Sequence, residues 1–170
     1  MVFRSEPLSK VIRLPLRAGE EPEDVQAVLV PLPKDTTGTV FGQRIAEYPQ
    51  RFNTYLLDSN DFVVNPQAVW DAPTASSQFA ITNINPSGFA LDNRALFVGP
   101  FNDDHFIAVV CTHKKPGSGE YISSTSQYSF NSFKIQGKNA MSFTMVNAED
   151  GGDSDFHDTV VGVAVTYTKK

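Results

Sequence analysis

Residues 105–111 read His-Phe-Ile-Ala-Val-Val-Cys, an almost unbroken apolar run. β-Branched and aromatic residues favour strands, and a short apolar run without alternation is typical of a strand that is buried on both faces. The run therefore predicts the central strand of a sheet that is covered by protein on both sides.

The segments around this run are short and are separated by turn residues. On the C-terminal side, residues 128–135 and 141–146 alternate apolar and polar, and 159–167 is a clear final strand. A slip in the alternation between positions 130 and 133 indicates a β-bulge. On the N-terminal side, residues 78–84 and 95–98 repeat the pattern. Short strands joined by Gly, Pro and Asn turns predict an all-β, antiparallel β-sandwich, jelly-roll or Greek-key like, with little helix.

The first part of the chain is less regular. Residues 10–16 carry Pro15 and predict an edge strand, and residues 25–32 predict a second strand. Residues 43–51 favour one or two helical turns, and Asn65-Pro66 is a turn signal. We expect one β-sandwich domain over residues 1–170, in which residues 1 to about 75 form a less regular extension packed on it.

The segment before the final strand is strongly acidic. Residues 149–158 read Glu-Asp-Gly-Gly-Asp-Ser-Asp-Phe-His-Asp, so half of them are carboxylates. Neighbouring carboxylates repel one another, whereas calcium binds about six to eight oxygen ligands. Gly151-Gly152 lets the backbone turn sharply. The segment predicts a loop that binds Ca²⁺ between two strands, and its plainer alternative is a solvated acidic turn, since Asp and Gly favour turns for local reasons.

A longer motif contains this loop. The pattern Phe143-x-x-Val146-x-x-Glu149-Asp150-Gly151-x-Asp153-x-Asp155-Phe156-x-Asp158-x-Val160-Val161 resembles the C-terminal signature of the bacterial two-calcium lectins that bind fucose and mannose. The core of the pattern is also similar to calcium loops in other β-sandwich domains. The resemblance implies strand–loop–strand geometry and calcium binding.

The resemblance also implies a set of metal ligands. Four carboxylates would hold one Ca²⁺, and two of them, Asp155 and Asp158, would be shared with a second Ca²⁺. His157 stands where the family has Asn. The candidate metal ligands are therefore Glu149, Asp153, Asp155, His157 and Asp158.

In the family, the ions bind sugar hydroxyls directly, because vicinal hydroxyls can replace water as oxygen ligands. The family also uses an Asn from an upstream loop, for which the segment Thr82-Asn83-Ile84-Asn85-Pro86 offers two candidates. The candidate ligand-binding residues are therefore Asp150, Asp153, Asp155, Asn83 and Asn85.

These features predict a calcium-dependent, lectin-like domain that binds mannose-type or fucose-type carbohydrate and is not an enzyme. One alternative is a structural or interaction protein in which calcium only stiffens the loop. A second, weaker alternative is a hydrolase with a structural calcium, although carboxylates bound to a cation are poor proton donors.

Three other groups of residues are candidates for chemistry. Cys111 and His113 share one face of a predicted strand, so they are candidates for a nucleophile and its base. A cysteine at the end of an apolar run is more often a buried, inert thiol. Zinc held by His105, His113 and His157 matches no usual ligand spacing. Trp70 is either a platform for sugar stacking or, more often for a single tryptophan, a core residue.

Composition restricts the partners. The formal net charge is −5 and basic residues occur at most two together, so an electrostatic footprint for nucleic acid is missing. No apolar run approaches the roughly 18 residues of a membrane span. Without an apolar leader the default expectation is cytoplasmic synthesis, with unconventional export left open. The single cysteine excludes an intrachain disulfide, and an edge strand leaves a homo-oligomer open.

Overall fold

The computed structural model describes residues 3–16, 20–45, 48–74, 77–84, 90–114, 117, 119–149 and 158–168. These residues form β-strands, turns and loops without any helix, so none of them belongs to a helix that is long and apolar enough to cross a membrane. The strands are β1 Leu8–Leu14, β2 Glu23–Leu32, β3 Thr36–Arg44, β4 Gln50–Asp58, β5 Val63–Ala72, β6 Ala80–Ile84, β7 Ala90–Asp92, β8 Ala95–Val98, β9 His105–His113, β10 Ile122–Ser123, β11 Thr125–Ile135, β12 Lys138–Glu149 and β13 Thr159–Tyr167.

The strands form two antiparallel sheets. The seven-stranded sheet has the order β1-β2-β9-β4-β5-β6, with β10 pairing with the end of β9. The six-stranded sheet has the order β11-β12-β13-β3-β8-β7. The predicted all-β antiparallel sandwich is therefore confirmed.

Strand β9 is the central strand that the apolar run predicted. It pairs with β2 on one side and with β4 on the other, and every residue from Phe106 to His113 is buried. Residues Ile107, Val109 and Cys111 point into the core between the two sheets. Residues Phe106, Ala108 and Val110 point to the opposite face of the same sheet.

The N-terminal residues cover that opposite face. The Phe3 ring packs on Phe106 with 4.9 Å between ring centroids, and Leu14 is completely buried with the second apolar cluster. Tyr55 donates its hydroxyl to the Pro15 carbonyl oxygen at 2.6 Å, which ties this segment to β4. This cover explains how β9 is buried on both faces.

Three local expectations were wrong. Residues 43–51 do not form helical turns where they are described, because Gln43 and Arg44 continue β3 along β13 and Gln50 begins β4. The chain does not turn at Asn65-Pro66, since β5 continues through both residues and absorbs them with register shifts opposite β4. The bulge between β11 and β12 lies between Phe133 and Lys134, after the predicted slip, close to the turn at Gln136-Gly137.

The sequence also suggested that the first part of the chain is a less regular extension. Strands β1 to β5 lie between residues 8 and 72 instead, and they contribute to both sheets. The physical reason is strand pairing. Strands β2 and β4 flank the central strand β9, and β3 pairs with β13 within the other sheet.

Candidate functional site

The acidic loop connects two neighbouring strands of the six-stranded sheet. Strand β12 ends at Glu149 and β13 begins at Thr159, and the two strands pair up to Ala148 opposite Thr159. The Asp158 amide donates to the Ala148 carbonyl oxygen at 3.0 Å, and the Ile45 amide donates to the Asp158 carbonyl oxygen at 2.9 Å. Both ends of the loop are therefore held on the sheet by backbone hydrogen bonds.

The structure describes two of the five candidate metal ligands. Glu149 is only 5% exposed and Asp158 is half-buried, and they stand at the two ends of the same loop. Asp150, Asp153, Asp155 and His157 lie outside the described residues. Within the described part of the chain, no group of three or more His, Cys, Asp or Glu side chains is arranged to hold a metal.

The two described carboxylates fit the donor chemistry of a calcium site. Carboxylate oxygens are the ligands that Ca²⁺ prefers, and a loop that supplies them needs fixed ends. Glu149 and Asp158 meet both conditions, since each belongs to or adjoins a paired strand. Calcium binding itself stays a prediction.

A buried polar platform lies beneath the end of the loop, at Gln50, His113, Ser124 and Thr159. The Thr159 hydroxyl donates to Gln50 Oε1 at 2.8 Å, and this bond joins the two sheets. His113 Nδ1 lies 2.8 Å from the Ser124 hydroxyl oxygen, and the Ser124 amide donates to the Cys111 carbonyl oxygen. All four side chains are at least nine-tenths buried. The platform fixes the start of β13 and therefore the exit of the loop.

Arg44 is a further buried polar residue at this end of the sandwich. It pairs with Thr159 in the sheet and is 5% exposed. Its Nε donates to the Ser77 carbonyl oxygen at 2.9 Å, and its amide donates to Gln78 Oε1 at 3.0 Å. Arg44 thereby attaches the segment before β6 to the edge where the loop ends.

Replacing Thr159 with valine is expected to lower the free energy of unfolding by about 1–3 kcal/mol, because Gln50 Oε1 loses a buried donor. Urea unfolding in EDTA measures this loss. Thr54→Val is the matched control: Thr54 is equally buried, but its hydroxyl has no hydrogen-bond partner among the described residues, so its removal should cost nothing. Equal losses in both variants would contradict the role of the Thr159 bond.

The two upstream asparagines do not both fall on described residues. Asn83 lies within strand β6 opposite Val69, and its side chain is exposed. Asn83 therefore belongs to the strand that the alternation over residues 78–84 predicted, and its role as a ligand-binding residue stays a prediction. Asn85 lies outside the described residues.

The candidate zinc set is incompatible with the strand geometry. His105 and His113 stand at the two ends of the nine-residue strand β9, about 26 Å apart at 3.3 Å per residue. His105 Nδ1 lies 2.8 Å from the Asp103 carbonyl oxygen, at the end of the sandwich opposite the platform. His157 lies outside the described residues.

Cys111 is an inert core thiol. Its side chain is 3% exposed within the core between the sheets, and burial raises its pKa from 9.0 to about 12. A nucleophilic cysteine needs a lowered pKa, so the Cys111–His113 pair does not have the properties of a catalytic centre.

We expect Cys111 to resist Ellman's reagent in the native protein at neutral pH and to react with one equivalent after unfolding in urea. Because the pKa is raised in the folded state, the thiol contributes stability that is fully present below pH 9 and is lost as the pH rises toward 12. Cys111→Ala should lack this component of the alkaline decline. Rapid labelling of the native thiol would contradict the burial.

Trp70 is a core residue. The indole is fully buried and stacks on Phe52 with 4.8 Å between ring centroids and an interplanar angle of 18°. An enclosed indole offers no open face to a sugar, so the interpretation of Trp70 as a stacking platform is wrong.

Comparison with known proteins supports the fold. No protein-family model matches the chain, and no curated protein sequence is significantly similar to it. Among solved structures, the C-terminal domain of the BC2L-C lectin from Burkholderia cenocepacia matches with a TM-score of 0.52 and 17% identity, over 78% of this chain and 90% of that one. The chain has the fold of this lectin domain. The likeness that the C-terminal motif indicated is thus confirmed for the fold.

Two further lectins give lower scores. The Ralstonia solanacearum high-affinity mannose-binding lectin has a TM-score of 0.44 and 17% identity, over 78% of this chain and 90% of that one. The Chromobacterium violaceum lectin CV2L, in complex with alpha-methyl-fucoside, has a TM-score of 0.45 and 13% identity, over 81% and 93%.

Proposed function

We propose that this chain is a calcium-dependent carbohydrate-binding domain without catalytic activity. The observation that carries the proposal is the acidic loop, which joins β12 to β13 with a carboxylate at each described end and both ends tied to the sheet. The likeness of the fold to a lectin domain supports carbohydrate binding, and in this chain the acidic loop joins two antiparallel strands.

In this proposal the chain supplies the oxygen ligands and the rigid frame. Glu149 and Asp158 hold calcium from the two ends of the loop, and Asp153 and Asp155 hold it from within, as the C-terminal motif implies. Bound Ca²⁺ supplies open coordination positions for vicinal sugar hydroxyls. The hydrogen bond between Gln50 and Thr159 keeps the exit of the loop in place beside the proposed calcium site.

The decisive experiment is a calorimetric titration of chelator-treated protein with Ca²⁺, in the presence and absence of methyl mannoside or fucose. We expect Ca²⁺ to bind, sugar to bind only when Ca²⁺ is present, and each to raise the affinity for the other by the same factor. Mg²⁺ is the control cation, because it keeps its waters and uses few protein carboxylates.

The outcomes separate the candidate functions. Calcium binding without any sugar linkage would assign the ion a structural role and would contradict the carbohydrate proposal. Absence of calcium binding would overturn the site itself. A stoichiometry of two ions would match the full ligand set that the motif implies.

A further inference from the structure

The outer face of the six-stranded sheet is apolar and open. Its strands alternate between residues that face the core, such as Val40 in β3, and side chains that face outward. Four large apolar side chains on the outer face are between 37% and 52% exposed, those of Phe41, Phe97, Phe133 and Met141. The outer face of the seven-stranded sheet is covered by N-terminal residues, whereas these four side chains are open to solvent.

This outer face carries no charge. It is built mainly from residues 127–133 of β11, 141–147 of β12, 160–166 of β13 and 37–43 of β3, which pair strand by strand across the sheet. None of these residues is Asp, Glu, Lys, Arg or His, although charged residues make up 19% of the chain. The cores of protein–protein interfaces are likewise depleted in charged residues and enriched in aromatic residues and methionine. The composition of the face is therefore that of an interface and not that of a solvated sheet face, which is normally polar.

The middle of the face is smooth. A carbon attached to the Cα atom of Gly162 would lie 2.5 Å from Phe41 Cζ and 3.1 Å from Phe143 Cζ, so any side chain at this position would displace the two rings. The ring centroids are 6.2 Å apart and the ring planes differ by 28°. The two rings therefore extend toward each other over the glycine and form a continuous apolar surface.

The face is large enough for a protein–protein interface. Five neighbouring strands, from β11 to β8, contribute to it. At about 4.8 Å between strands and about seven residues of roughly 3.4 Å along most of them, the face covers on the order of 600 Å². Two copies of the face would bury on the order of 1,200 Å² together, which reaches the lower end of the range of specific interfaces.

We propose that a second copy of this chain covers this face, in a twofold dimer whose six-stranded sheets pack face to face. In such a dimer the same patch meets itself. An uncharged patch brings no like charges together, although each chain carries a net charge of −5. A bilayer fits the face less well, because anionic lipid surfaces attract basic residues and this block has none. A small sugar also fits less well, because small-molecule sites are concave and this is the open face of a sheet.

Sedimentation equilibrium of the full chain in EDTA tests the dimer, since the chelator prevents association through bound calcium. We expect a particle of twice the mass of one chain, with a dissociation constant in the micromolar range or below. A chain that stays monomeric well above micromolar concentration would overturn the proposal, whatever the result of the calcium and sugar titrations.

Phe41→Lys places a charge in the middle of the face. The position is exposed in the monomer, so the ammonium group reaches water there, whereas in the dimer it would be buried without a partner. The dissociation constant should therefore rise at least about 100-fold. The substitution makes the net charge less negative, so a stronger repulsion between the copies does not explain the loss.

Met141→Lys makes a similar change two strands away on the same face, and it should also weaken the dimer, so the test does not depend on one variant. Phe62→Lys is the matched control for Phe41→Lys, because Phe62 is 70% exposed at the turn between β4 and β5 of the other sheet. Circular dichroism shows that each variant is folded. A dimer that persists in both Phe41→Lys and Met141→Lys, or that dissociates equally in Phe62→Lys, would contradict the assignment of this face.

Discussion

Replacing Trp70 with alanine is expected to lower the free energy of unfolding by about 3–5 kcal/mol. The indole is fully buried and stacks on Phe52, which in turn meets the edge of Phe79 with 4.8 Å between centroids. The three rings fill one region of the core between the sheets, so truncation leaves a large cavity. Urea unfolding must be followed by circular dichroism, because Trp70 is the only tryptophan and its fluorescence disappears with it.

Trp70→Phe distinguishes the contribution of ring stacking from the effect of removing the whole side chain. Phenylalanine keeps a ring against Phe52 and removes the indole N–H, which has no hydrogen-bond partner among the described residues. We expect this variant to lose less than half as much free energy of unfolding as Trp70→Ala, with an unchanged m-value. Similar losses in both variants would mean that the stacked rings are not a main source of stability.

The sequence predicted those strands whose signal is local. The apolar run that became β9 and the final strand β13 needed no knowledge of their partners, because burial on both faces or a valine-rich pattern is visible in the residues themselves. Strand β5 was missed because Asn65-Pro66 is a turn signal when read alone. Pairing with β4 overrides that signal, since shifts in the register accommodate the proline.

The candidate site also has one part that the sequence predicts and one part that it does not. The acidic loop is contiguous in the chain, so its carboxylates could be recognised from their spacing. The platform beneath it could not, since Gln50 and Thr159 are 109 positions apart and each is an ordinary polar residue on its own.

Replacing Asp155 with asparagine is expected to lower the affinity for Ca²⁺ on the order of 100-fold, or about 2.8 kcal/mol. The prediction rests on the proposed function, in which this carboxylate is shared by both ions and the neutral amide loses the attraction to each. At a Ca²⁺ concentration 100 times the native dissociation constant, calcium should stabilise the native protein by about 2.7 kcal/mol and the variant by about 0.4 kcal/mol. Thermal unfolding with and without Ca²⁺ measures both increments.

The same substitution should have the opposite effect once calcium is removed. Four other carboxylates lie within residues 149–158, so neutralising one of them relieves repulsion and leaves the calcium-free variant at least as stable as the native protein. Asp103→Asn makes the same charge change beside the start of β9, at the opposite end of the sandwich, and should alter neither increment. A calcium increment that is preserved in Asp155→Asn, or lost equally in Asp103→Asn, would show that the ion does not bind at this loop. Asp155→Asn should thus lower the stability of the protein when Ca²⁺ is present and should not lower it when Ca²⁺ is absent. This difference distinguishes a metal ligand from a residue that only supports the fold.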